Sequence, residues 1–141
     1  MNEFAKSEKL ALTSIGEYGL REFLSKVYSQ TDGDSISHPQ RCKKCYLMRL
    51  EKTADFASRE GFSAFSTTLL ISPYQDHEEI KLVGEEMAEK YGIEFLYRDF
   101  RPLFREGQSN ARAANMYMQK YCGCVFSEEE RYLSKNSHKE H

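Results

Sequence analysis

The residues of this chain best suited to chemistry are its four cysteines, which come as two tight pairs rather than scattered singly: Cys42 and Cys45 in Arg41-Cys42-Lys43-Lys44-Cys45-Tyr46, and Cys122 and Cys124 in Tyr121-Cys122-Gly123-Cys124. Two thiols three residues apart at a helix start can grip one metal centre or exchange electrons as a dithiol, and the spacing alone leaves both open. Zinc enters if Cys122 and Cys124 complete a tetrahedral set of four sulfurs with them. In the second pair, Gly123 lets the backbone turn tightly enough to bring both sulfurs to one side. Lys120 and Tyr121 beside it favour thiol chemistry over a plain buried pair.

These thiols are not needed as structural staples. A chain of 141 residues can bury an apolar core without disulfides. With 40% hydrophobic and 30% charged residues, it has the composition of a globular protein, which excludes the disordered and membrane-spanning classes. The start, Met1 to Lys9, is polar, so the cytoplasm is the expected location and no membrane partner is expected. In a reducing compartment, close cysteine pairs are metal ligands or working redox couples. The net charge of −2 hides an uneven distribution: residues 41–52 carry five bases against one acid, 76–94 seven acids against two bases, and 98–120 five bases against two acids. Both basic stretches carry or adjoin a cysteine pair. They are either ordinary solvated helix faces or a surface that guides a polyanion to the thiols.

The elements that must hold these residues follow from periodicity. Leu20, Phe23, Leu24, Val27 and Tyr28 have helical spacing within a helix expected over Gly16 to Gln30, after a frayed start from Met1 to Ala11. After a loop, Thr31 to His38, a second helix is expected from Cys42 to Glu60. Leu47, Leu50, Ala54 and Ala57 share its face and Gly61 caps it, which puts Cys42 and Cys45 in the first turn, beside free amides and the favourable dipole. Phe62 to Ile71 contains a strand centred on Phe65 to Thr68, so Ser66, Thr67 and Thr68 fall at its C-terminal end, where open α/β sheets place ligands. Asp76 begins a third helix to Tyr91 with a buried stripe of Ile80, Val83, Met87 and Tyr91, and Ile93 to Tyr97 is the next strand. Strand, helix and strand make a βαβ unit. A charged loop at Arg98 to Pro102 leads to a fourth helix, Arg105 to Lys120. Ser127-Glu128-Glu129-Glu130 reads as a capping box for a short last helix, followed by a polar tail from Ser134. Two strands alone do not make a parallel-sheet domain.

Four stretches carry a resemblance to a known family. They are Arg41 to Leu50, Phe65-Ser66-Thr67-Thr68-Leu69-Leu70-Ile71-Ser72-Pro73-Tyr74-Gln75, Tyr97-Arg98-Asp99-Phe100-Arg101, and Tyr117-Met118-Gln119-Lys120-Tyr121-Cys122-Gly123-Cys124. Through them the chain resembles QueH, the epoxyqueuosine reductases, over about residues 41 to 132. The resemblance implies reduction of the epoxide of epoxyqueuosine in tRNA, the last step of queuosine synthesis. It implies a four-iron four-sulfur cluster with Cys42 and Cys45 as two of its ligands, and a redox-active pair at Cys122 and Cys124 that can close as a disulfide. It also implies an α/β sandwich of the nucleotide-binding (HUP-like) type, partial in this chain, with a short parallel sheet, the βαβ unit and flanking helices. Family members supply two further ligands from an adjacent N-terminal Cys-Cys pair, and no cysteine precedes Cys42 here. Residues 1–40 are therefore expected to diverge from the family, in a truncated or split member to which a companion chain could bring the missing part. The electron donor stays unassigned.

Other residues carry a functional and a plainer reading side by side. Asp99, between Arg98 and Arg101, is either a salt-bridged loop residue or an acid beside the substrate. Tyr74, Tyr97 and Tyr121 either stack on a base or donate a proton, or pack half-buried at strand ends. Ser66, Thr67 and Thr68 either hydrogen-bond substrate or finish the strand. Arg41, Lys43, Lys44, Arg98 and Arg101, with Arg105, form the expected tRNA phosphate surface. None of the histidines is expected to be a catalytic base; His77 reads as a first-turn helix residue. The competing class for the whole chain is a non-catalytic zinc module with four cysteine ligands that binds RNA.

Overall fold

The structure is a computed structural model, and it describes residues 2–17, 19–29 and 36–133. The expected loop from Thr31 and the polar tail from Ser134 lie largely outside the described residues. Two compact units are present, one made of Met1–Ser66 with Glu78–Leu96, the other of Thr67–His77 with Tyr97–His141.

In the first unit, the N-terminal stretch is not frayed: Asn2–Ser7 forms helix α1, with Glu3 in its first turn and Lys6 in its last, the charge order a helix dipole favours, and Ala5 buried. Helix α2 spans Leu20–Tyr28 rather than starting at Gly16, because Gly19 sits at φ 69 and a left-handed residue cannot be an inner helical one. Helix α3, His38–Arg59, also begins earlier than expected. Ser37 and Gln40 close a capping box, and Pro39 fits the first turn, where its missing N–H has no bond to lose. Its buried stripe is Tyr46, Leu50, Ala54 and Ala57, with Tyr46 in the place expected of Leu47, and α3 packs on α2 and on strand β1 (Ala64–Phe65). Gly61, at φ 79, ends α3 as its composition predicts.

Strand β1 pairs in parallel with β2 (Glu94–Phe95) through Glu94 N–H to the Ser63 carbonyl (3.0 Å) and Leu96 N–H to the Phe65 carbonyl (2.9 Å). Helix α4 (His77–Tyr91) connects them, so the βαβ unit stands and the architecture is α/β. The first strand is shorter than expected. Thr67 Oγ1 accepts from Leu69 N–H (3.2 Å) and turns Thr68–Ile71 into a 3-10 segment before the ladder can continue. Ile80, Val83 and Met87 of α4 are buried as the stripe predicts. Buried Gly84 lies against the Phe95 ring so closely that a Cβ there would overlap it. Surface ion pairs tie the helices laterally: Lys52 to Glu22 (2.8 Å) and Glu51 to Lys90 (2.6 Å).

In the second unit, Phe100 N–H donates to the Leu70 carbonyl (3.2 Å), joining the Thr68–Ile71 segment to a second 3-10 turn at Arg101–Leu103. Helix α5 spans Phe104–Ala113 instead of reaching Lys120, because Asn115 takes φ 51 and Met116 N–H turns back to the Ala111 carbonyl (2.9 Å). Helix α6, Val125–Tyr132, is capped by Cys124, not by Ser127. Among the described residues no helix is long and apolar enough to cross a membrane.

Candidate functional site

The early start of α3 moves Cys42 and Cys45 out of the first turn, so the free-amide environment expected for them is absent. Side chains one helical turn away take its place. The His38 ring lies 3.8 Å from Cys42 Sγ, and Arg49 Nε donates to Cys45 Sγ at 3.3 Å. Both sulfurs are half-buried on one side of α3, since residues three and four apart share a helix face. Of the bases around them, Lys43 is bound to Glu79 of α4 at 2.9 Å, an ion pair that raises its pKa. Among the described residues no group of three or more His, Cys, Asp or Glu side chains is gathered that could hold a metal ion. Cys42 and Cys45 are two thiols, half of the about four thiolates that a cubane cluster takes.

The second cysteine pair is held in the second unit by residues distant in sequence. Cys122 is exposed, and its sulfur accepts from Gln75 Nε2 at 3.3 Å across 47 positions. Cys124 is half-buried at the head of α6. Its sulfur accepts from Ser127 N–H at 3.4 Å, while Ser127 Oγ donates to the Cys124 carbonyl at 2.8 Å. Gly123 between them sits at φ 94, a backbone conformation that favours glycine here, with the mobile end of the Gln119 side chain lying where a Cβ would go.

Around Gln75 the loop Ser72–His77 is tied at both ends. Tyr74 N–H donates to Ser72 Oγ (3.2 Å), and His77 Nε2 donates to the Ser72 carbonyl (3.1 Å). A carbonyl only accepts, so Nε2 carries the proton, and in the neutral ring Nδ1 accepts from the Tyr97 hydroxyl (3.2 Å). His77 is 4% exposed. The sequence reading left both His77 and Gln75 out of the site. His77 could have been found as a polar residue in register with the apolar stripe of Ile80, Gly84 and Met87; Gln75 carries no local signal. Tyr74 is 82% exposed, its ring edge-on to Phe104 at 5.9 Å.

The remaining expected residues are placed as follows. Asp99 is forked to Arg101, with Nε to Oδ1 at 2.8 Å and a terminal nitrogen to Oδ2 at 2.6 Å, and also accepts the Arg101 N–H. These bonds hold its carboxyl at a pKa of about 2, so at neutral pH it carries no proton to donate. The lowered value means Asp99 favours the folded state above pH 3.8, and that contribution is lost as pH falls from there to about 2. In Arg101→Met, the Asp99 side-chain NMR titration should return to the ordinary aspartate range near 4. Ser66 Oγ donates to the Leu96 carbonyl (2.8 Å) and Thr67 caps its 3-10 turn, so both hydroxyls are engaged locally. Thr68 and Arg98 are exposed, and Arg41 and Lys44 half-buried.

A family profile described as epoxyqueuosine reductase QueH matches residues 1–130, a continuous span through both cysteine pairs. The chain belongs to the QueH family. It is 36% identical over 137 residues to the epoxyqueuosine reductase QueH of Dehalococcoides mccartyi, covering 97% of this chain and 71% of that protein. To its counterpart from Thermotoga maritima it is 37% identical over 119 residues, covering 82% of this chain and 62% of the relative. To that from Helicobacter pylori it is 33% identical over 128 residues, covering 86% of this chain and 34% of the relative. The QueH match takes in the first forty residues as well as the motifs downstream. The chain spans from about a third to seven tenths of the length of these three relatives.

Proposed function

We propose that the chain takes part in the reduction of epoxyqueuosine to queuosine in tRNA, with Cys122 and Cys124 as the dithiol. The observation that carries this reading is the QueH match running unbroken through Cys42, Cys45, Cys122 and Cys124. Removing an epoxide oxygen as water takes two electrons and two protons. Two thiols closing to a disulfide release that number of each, and a separate electron donor must then reopen the bond. Exposed Cys122 faces the substrate, while Cys124, seated at the helix cap, is the partner it closes on. Asp99, ionised and locked to Arg101, orients that guanidinium rather than moving protons.

Cys42 and Cys45 would supply two of the thiolate ligands of a four-iron four-sulfur cluster, with Arg49 and His38 beside their sulfurs. When bound, the cluster supplies electrons one at a time. With the other two of the chain's four cysteines assigned to the dithiol, the remaining cluster ligands come from elsewhere, such as a companion chain. The α/β unit is read as part of a nucleotide-binding-type sandwich. Arg98, Arg41 and Lys44 contact tRNA phosphates, and the exposed ring of Tyr74 stacks on an unpaired base.

The test of the activity is turnover of tRNA carrying epoxyqueuosine, followed by nucleoside analysis; no conversion with any reductant and any companion chain overturns it. The cluster is tested separately by anaerobic iron–sulfide reconstitution. The expected product is brown, and Cys42→Ser or Cys45→Ser should reduce the bound iron and visible absorbance. A colourless protein that takes up zinc at all four cysteines instead supports the RNA-binding zinc module.

A further inference from the structure

We propose that Gln75 is a positioning residue for the C-x-C pair: its side-chain amide holds Cys122 Sγ and biases the pair toward the dithiol over the disulfide. The inference rests on the reading of Cys122 and Cys124 as a redox couple.

The geometry that supports it is a loop built to present one amide. Ser72–His77 leaves the end of the first 3-10 segment and re-enters the fold at the start of α4. Its first residue is gripped twice, by Tyr74 N–H on Ser72 Oγ and by His77 Nε2 on the Ser72 carbonyl. Its last residue, His77, is buried and fixed a second time through the Tyr97 hydroxyl. Tyr74 is steadied by Phe104. Half-buried Gln75 therefore projects from a constrained frame, and its Nε2 meets Cys122 Sγ at 3.3 Å. An amide placed this way loses little side-chain freedom in making the bond, which is what separates a positioning contact from a chance surface one.

The bias follows from what sulfur accepts. A thiolate sulfur takes an N–H bond more strongly than a disulfide sulfur does, since charge-assisted bonds are the stronger ones. Gln75 therefore stabilises the state that carries the electrons. Cys124 is treated alike, since the Ser127 N–H reaches its sulfur. One amide donor is worth about 0.5–1.5 kcal/mol net, or roughly 2- to 12-fold in an equilibrium constant.

The experiment is a titration of the full chain with reduced and oxidised glutathione. In this exchange Cys122–SH, Cys124–SH and one glutathione disulfide become the protein disulfide and two glutathione thiols. The fraction oxidised is read by alkylation and peptide mass spectrometry, which separates this pair from Cys42 and Cys45. Gln75→Glu keeps the length but puts an acceptor in place of the donor; Gln75→Ala removes both. Each should shift the equilibrium about 3- to 10-fold toward the disulfide, a potential about 15–30 mV more negative, with far-ultraviolet circular dichroism unchanged. A purely structural role for Gln75 would leave the potential alone. A wild-type chain that forms no Cys122–Cys124 disulfide at any glutathione ratio overturns the underlying redox reading. A wild-type chain that forms it while both variants stay within twofold overturns only the role given to Gln75.

Discussion

Cys122→Ser and Cys124→Ser should each lower epoxyqueuosine turnover by about 10³-fold or more, and the double variant should fall no further, because two groups acting as one unit lose their function together. The loss is attributable to the missing electrons rather than to the fold. Cys122 is exposed, and its replacement removes only the hydrogen bond from Gln75. Cys124 is the N-cap of α6, accepting from the Ser127 N–H, and serine is among the residues most favoured at that position. The serine variant should therefore keep α6 at least as well ordered as the wild type, visible as unchanged helical dichroism, while losing activity. Turnover that survives either replacement removes the dithiol from the chemistry and leaves Cys42 and Cys45 as the thiols to consider.

The largest expected effect on stability comes from a single methyl group on α4. In an exposed helix, Gly→Ala stabilises by roughly 0.8–1.0 kcal/mol through propensity. At Gly84 the sign reverses. An added Cβ would overlap the Phe95 ring, which is itself held 5.2 Å from the buried Phe65 ring across the two strands. The overlap reaches back to the ring carbon attached to Cβ, so a simple ring flip does not relieve it. Overpacking of this kind costs about 1–3 kcal/mol. Gly84→Ala should therefore lower the urea midpoint on balance, and Gly84→Val should lower it further. Phe95→Leu in the Gly84→Ala background should recover part of the loss, a coupling that a double-mutant cycle measures. A Gly84→Ala protein more stable than wild type would mean that α4 and β2 lie farther apart than this contact requires.

Much of the first unit can be read directly from residue order. The apolar positions of α4 recur at helical spacing, Gly61 and Gly92 mark left-handed stops, and the short apolar runs around Phe65 and Phe95 pair as the βαβ pattern requires. Local competition limits the rest. The second helix is expected from Cys42, yet the Ser37 and Gln40 box brackets Pro39, and a proline in the first turn is compatible with helix; the thiols of α3 consequently sit one turn deeper than expected. Thr67 cuts the first strand short through its own hydroxyl, and Asn115 ends α5 in a conformation asparagine tolerates better than most residues. The family was legible because the motifs around the two cysteine pairs are long. Their surroundings were not, because the contact of Gln75 with Cys122 and that of His77 with Tyr97 join residues 47 and 20 positions apart. No local pattern encodes such a pairing.

Sulfur as the opening residue of α6 gives the protein an internal gauge. The amide proton of Ser127 is shielded by an acceptor that exists only while Cys124 keeps a lone pair directed at it. Alkylation or oxidation at that atom should loosen the first turn of an eight-residue segment and speed hydrogen exchange there. A nitrogen-15-labelled sample would then report the chemical condition of one half-buried thiol from a neighbouring backbone resonance, without any tag or cofactor.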